Sequence, residues 1–178
     1  MRQTQRKKEK GLILLEAIIA VGVLTTMFAA TMALFSNSVV GVRLSSDQLI
    51  ATYLAQDAME MVIAKQQFNI DNFFPWLTNI NNCIGQTCAM DYFFTETDVS
   101  IEPLTCANPL TNGCKLYFDG AVYTSTDPGG AAETQYTRTA EITVIGHEAH
   151  VRVDVSWPNG EDTMVFTLHH TLYEYDTN

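Results

Sequence analysis

Basic side chains are almost absent from most of this chain. Five of its ten lysines and arginines (Arg2, Arg6, Lys7, Lys8 and Lys10) stand in the first ten positions, which leaves residues 11–178 with five bases against nineteen acids. A phosphate backbone repels a surface of that sign, so a general nucleic-acid binder is excluded and no nucleic acid is expected as a partner. Proline is missing before Pro75, so no residue of that kind breaks a helix there. Between Leu12 and Phe35 no Ala-x-Ala occurs, and no cysteine follows closely. Neither a cleavable secretory signal nor a lipoprotein site is therefore expected, and the segment should stay attached. Charge is scarce altogether: 17% of residues are charged and 47% hydrophobic, a composition that can bury a core and argues against disorder throughout. At 178 residues the length suits one domain with an appended element. No Gly-x-Ser-x-Gly, phosphate loop or dinucleotide fingerprint occurs, so neither catalysis nor a cofactor is expected.

What is present begins with the basic tip and Gly11. From Leu12 to Phe35 the only ionisable side chain is Glu16. As a helix, at about 1.5 Å per residue, this run is roughly 36 Å long, enough to cross a hydrocarbon core of about 30 Å. Positive flanks stay in the cytoplasm, so the single pass leaves the N-terminus inside and the acidic remainder in the periplasm. Glu16 is costly in that setting, by about 2.5–3.5 kcal/mol at helix-centre depth and less near the interface. The positive end of the helix dipole offsets only about 0.3–1 kcal/mol of this.

The stretch Lys10-Gly11-Leu12-Ile13-Leu14-Leu15-Glu16, with a basic leader before it and an apolar helix after it, resembles the N-terminal processing signal of type IV prepilins and of type II secretion pseudopilins. The resemblance implies that a prepilin peptidase cuts between Gly11 and Leu12 and methylates the new amine of Leu12. It also implies that Glu16 docks the subunit into a growing filament, with sister subunits and an inner-membrane assembly platform as partners. The physical logic agrees. Cleavage creates an ammonium group in an apolar setting, and a carboxylate on the adjacent subunit neutralises it, so both charges are satisfied only on assembly. Three positions depart from the commonest family pattern: Leu12 stands where Phe is usual, Ile13 where Thr or Ser is usual, and Ala33 where many major pilins have a helix-kinking proline. Ala51-Thr-Tyr-Leu-Ala-Gln-Asp-Ala-Met-Glu60 is similar to the corresponding helix of PilV-type minor pilins and I-type minor pseudopilins, which points to a minor subunit, in a tip or initiation complex.

Beyond Phe35 the helical spacings continue in two series, Val39, Val42, Leu49, Tyr53 and Ile50, Leu54, Ala58, Met61, so the helix is expected to reach about Gln67. Asp47, Gln48, Gln56, Glu60 and Lys65 suit its wet side, although Asp57 falls near the face of Ile50. A coiled-coil dimer is the alternative cover for this half, on few and irregular heptads. Residues 68–114 hold all four cysteines, Cys83, Cys88, Cys106 and Cys114, which outside the membrane read as disulfides with three pairings open. Cys83–Cys88 and Cys106–Cys114 close the shortest turns and are favoured. Zinc is the alternative, on poor spacing. Strands are expected at Lys115–Tyr123, at Tyr136–Ile145, and where Ala149, Val151, Val153, Val155 and Trp157, then Met164, Phe166, Leu168 and Leu172, alternate with polar residues. Gly146-His147-Glu148 and Pro158-Asn159-Gly160-Glu161-Asp162 are the turns.

The expected fold is α+β: a long N-terminal helix whose outer half packs on a C-terminal antiparallel sheet, the type IV pilin architecture. The chain divides into a leader (1–11), a transmembrane or filament-core half-helix (12–35), a periplasmic half-helix (36–67), a stapled loop region (68–114) and a sheet (115–178). His147-Glu148-Ala149-His150 lacks the spacing of a zinc protease motif, and no metal is expected there. Asp119, Asp127, Glu161 and Asp162 are loop carboxylates of the kind that bind calcium, but no spacing singles out a ligand set. Two other classes of function stay open. A membrane-anchored binding or sensor domain that never polymerises would keep its leader, and a secreted enzyme would need release by cleavage beyond Phe35.

Overall fold

The computed structural model describes residues 3–89, 92–95, 98–101, 104–105, 114–125 and 129–174, with side chains described from Leu12 onward except at 37, 82 and 92–105. Helix α1 runs Gln3–Asp71. The chain divides into two units, residues 1–45 and 46–178.

In the second unit α1 has one buried face, made by Ala51, Ala55, Ala58, Val62, Lys65 and Asn69, at steps of four, three, four, three and four. Leu54, Met59 and Met61 flank it and are also buried. Of the two expected apolar series only the one through Leu54, Ala58 and Met61 meets the sheet, with Ile50 packed at its edge. Leu49 and Tyr53 are exposed. Short side chains at 51, 55 and 58 leave room for the bulky strand residues opposite, and that steric fit chooses the face. Lys65, expected on the wet side, is buried with its ammonium 4.7 Å from the Phe68 ring centroid.

The helix ends four residues beyond Gln67, in a Schellman motif. Phe73 N–H donates to Ile70 O (3.1 Å) and Phe74 N–H to Asn69 O (2.8 Å), with Phe73 left-handed at φ 60°. Pro75 follows, and the Asn69 amide donates to Trp76 O (3.2 Å) and Thr78 O (2.9 Å), tying the exit loop back to the last turn.

The principal strands, numbered in chain order with the short ones below, are β7 (Ala132–Ile145), β8 (Glu148–Asn159) and β9 (Asp162–Tyr173), an antiparallel meander. Register runs from Thr137↔Ser156 to Ile145↔Glu148 and from Glu148↔Tyr173 to Asn159↔Asp162. The turns are two residues each, Gly146-His147 and Gly160-Glu161, tighter than expected. Both glycines are left-handed (φ 63° and 67°), the conformation a twisted two-residue hairpin requires. Pro158, Asn159 and Asp162 therefore belong to strands. Ala149, Val151, Val153, Val155 and Trp157 are buried as their alternation predicts, and Leu172 opposite Ala149 is buried too.

The expected strand Lys115–Tyr123 is instead a hairpin of β5 (Lys115–Phe118) and β6 (Tyr123–Thr124). Its turn is held by Asp119, whose carboxylate accepts from Ala121 N–H (2.8 Å) and Val122 N–H (2.9 Å). The region 68–114 is more than a loop. It contains a short 3-10 helix (Asn81–Cys83), β1 (Cys88–Ala89), a hairpin of β2 (Tyr92–Thr95) with β3 (Asp98–Ile101), and β4 (Leu104–Thr105). β1 joins the main sheet beside β7 and carries β4 on its other side, while β5 pairs with the earlier part of β7. The Cys83–Cys88 disulfide closes the piece that docks there: Gly85 N–H donates to Ile142 O (2.9 Å) and Cys88 pairs with Ala140.

Candidate functional site

The first site the sequence marks out is the start of the apolar run. Leu12 and Glu16 lie four apart on one helix, so they share a face. Leu12 through Phe35 is exposed along its whole length, and its most apolar stretch, of mean hydropathy 2.3, buries nothing within the chain. This helix is long and apolar enough to cross a membrane. The hydroxyls in the run satisfy themselves: Thr25 donates to Gly22 O (2.9 Å), Thr26 to Val23 O (2.8 Å) and Thr31 to Phe28 O (2.9 Å). Backbone and hydroxyls thus make no demand on a hydrocarbon surround. Glu16 differs. Within the run it is the one polar side chain without a hydrogen bond or ion pair among the described residues, and it is exposed.

Three polar pins hold the outer helix to the sheet, spaced at 47, 57 and 66. Asp47 accepts from the Tyr136 hydroxyl (3.0 Å) and the Gln135 amide (2.9 Å). Burial, and the Asp47 carboxylate beside it, push the Tyr136 phenol up to about 12. Arg138, 1% exposed, reaches from β7 to Asp57 Oδ2 (2.6 Å) and donates to Leu54 O (3.2 Å). The Gln66 amide donates to Tyr173 O (2.9 Å). Sequence patterning found none of these pairs. The one available signal was Asp57 itself, an acid placed seven after Ile50 on the face that should be apolar, which is explained by the guanidinium opposite.

The remaining expected site residues are scattered. Cys83 and Cys88 are bonded to each other. Cys114 is also disulfide-bonded, and Cys106, its expected partner, lies outside the described residues. His147 Nδ1 is 2.7 Å from Glu174 in the β7–β8 turn, whereas His150 sits on β8 against Thr171 (3.1 Å). Among the described residues no three His, Cys, Asp or Glu side chains are placed to hold a metal ion. Asp119 is occupied as a turn cap, and the N–H groups of Val122 and Ala121 hold its carboxyl below the usual range. Glu161 and Asp162 belong to the β8–β9 turn and the start of β9, and Asp127 lies outside the described residues. The outward face of the meander is a polar ladder: Arg152 pairs with Glu141 (2.7 Å) and Asp154 (3.1 Å), and Thr167 donates to Asp154 (2.7 Å). No protein-family model, curated protein or solved structure matches the chain.

Proposed function

We propose that this chain is a minor pilin or minor pseudopilin, a structural subunit without catalytic activity. The basic leader would be removed between Gly11 and Leu12, and Leu12–Phe35 would hold the chain in the inner membrane until it is drawn into a filament or its tip complex. The observation that carries this is Glu16, a carboxylate four residues beyond Leu12, on an exposed apolar helix, with no partner among the described residues. The amine that cleavage would release at Leu12 of a neighbouring subunit is a cation, opposite in sign to Glu16 and within one helical turn of its depth. An unpaired charge in lipid is costly, and a pair formed only on subunit addition converts that cost into a drive for assembly and a register for the incoming helix. Cohesion along the rest of the run would come from helix packing. The α+β architecture, an apolar N-terminal helix whose outer part packs on an antiparallel sheet, supports the proposal. The acidic sheet and disulfide-bonded region would then make contacts specific to each partner.

Intact-mass measurement on protein from cells with and without prepilin peptidase tests this. A chain beginning at N-methylated Leu12 only when the peptidase is present is the expected result. A chain retaining residues 1–11 in both cells would refute it and leave an anchored binding or sensor domain in its place.

A further inference from the structure

We propose that the outer edge of β9 takes up an extended segment of a different protein as one more strand of the sheet, a guest that is apolar at alternate positions and carries bases rather than acids. The register assigns the edge. Asn159 and Asp162 flank a two-residue turn and so exchange backbone hydrogen bonds, and alternation along β8 and β9 gives the same inward pairing to residues 164, 166, 168, 170 and 172. Thr163, Val165, Thr167, His169 and Thr171 therefore turn their N–H and C=O groups away from β8. Among the described residues no strand meets those groups, since β9 pairs with β8 alone. At Tyr173, the next in that series, the carbonyl accepts from the Gln66 amide (2.9 Å), which marks the end of the open stretch.

Sheets ordinarily protect such an edge with a short strand, a proline, a bulge or charged side chains. β9 has none of these. It is twelve residues long against a usual length of about five or six, its register with β8 is unbroken, and from Thr163 to Tyr173 there is no proline, lysine, arginine, aspartate or glutamate. The side of β9 that faces the core is also incompletely covered. Met164, Phe166 and Leu168 stand opposite Trp157, Val155 and Val153, which are buried, yet Met164 is 36% exposed and Phe166 and Leu168 are only half-buried. A strand laid along the edge would answer both needs, pairing the backbone groups and covering these apolar side chains with alternate residues of its own. Charge selects the guest. Residues 46–178 carry four bases against eighteen acids, so a second copy is repelled and a basic segment is drawn in, while the uncharged edge sets no like charge against the guest's apolar residues. The inference goes beyond the filament reading and does not depend on it, because the edge is the same whether the chain polymerises or stays anchored.

The probe is a synthetic peptide of alternating valine and threonine with a lysine at each end, added to the full chain in detergent at low salt, and the reading is amide hydrogen exchange resolved by residue. Without peptide, the amides of 163, 165, 167, 169 and 171 should exchange fast and those of 164, 166, 168 and 170 slowly. Saturating peptide should slow the first set by about ten-fold or more and leave the second nearly unchanged. A twin peptide with glutamate at each end should bind at least about three-fold more weakly. As a second arm, His169→Pro deletes one outward N–H and leaves the ladder to β8 whole, whereas His169→Ala keeps that N–H. Peptide binding should fall by about ten-fold in the proline variant alone, with circular dichroism reporting both variants folded. The proposal is overturned if the five amides are already protected in the free chain, if their protection rises with protein concentration and needs no peptide, or if millimolar peptide leaves them unchanged. Equal binding of the lysine and glutamate peptides, or equal binding by folded proline and alanine variants, overturns it too.

Discussion

Removing either partner of the Asp57–Arg138 pair should cost different amounts, because the two ends meet different solvent. Arg138 is 1% exposed, whereas the Asp57 side chain is 48% exposed. In Asp57→Ala the guanidinium loses this carboxylate and stays where water hardly reaches. Breaking a buried pair from one side costs about 3–5 kcal/mol, and the open half of Asp57 discounts that to about 2–3 kcal/mol. In Arg138→Met the carboxylate left behind can hydrate, the new side chain is apolar beside Leu54 and Val155, and the loss should be about 1 kcal/mol or less. Thermal unfolding of the full chain in detergent, followed by near-ultraviolet circular dichroism of Trp157, reports the difference. Because about 1 kcal/mol moves Tm by roughly 2 to 4 °C at this size, Asp57→Ala should lower it by about 4 to 12 °C and Arg138→Met by less than half of that. Equal losses, or a larger one for Arg138→Met, would refute the solvent asymmetry.

Glu16→Ala should leave processing at Gly11–Leu12 intact, shown by mass, while the subunit's recovery in sheared filaments falls; recovery at the parental level would remove the charge-pair role. Replacing Cys83 and Cys88 together by Ser opens a loop of sequence separation 5. Chain entropy puts the loss at about 2 kcal/mol, read by denaturant unfolding. The Tyr136 phenol, raised to about 12, stabilises the fold fully below the ordinary tyrosine range near 10, and that stability is lost as pH climbs through the folded value. Tyr136→Phe should therefore delete a phenol ionising at about 12 from an absorbance titration and flatten the loss of stability between pH 10 and 12.

Legibility in the sequence varied with the range of the interaction. Strands β8 and β9 could be read because alternation is a property of neighbours, and so could the helix, because its period is local. The β5–β6 hairpin was hidden because Leu116 and Phe118 look like one strand continued to Tyr123; only the Asp119 turn, closed by two backbone N–H groups, folds it back. The short strands beside β7 escaped notice because two residues of β1 carry no period at all, and the disulfide-closed piece holds them against Ala140 and Ile142.

Polarity along a single chain settled the long apolar run, its lone Glu16, the excess of acids and the α+β class, since each depends on what a residue is and on its nearest neighbours. Tertiary structure alone decided which helical stripe meets the sheet, why Lys65 is buried, what answers Asp57, and that β9 pairs on one side only among the described residues. Those outcomes depend on the register between elements far apart in the chain: Asp57 and Arg138 are separated by 81 positions. Local spacing carries no record of that register, because steric fit between the alanine face and the strands sets it only when the two surfaces meet.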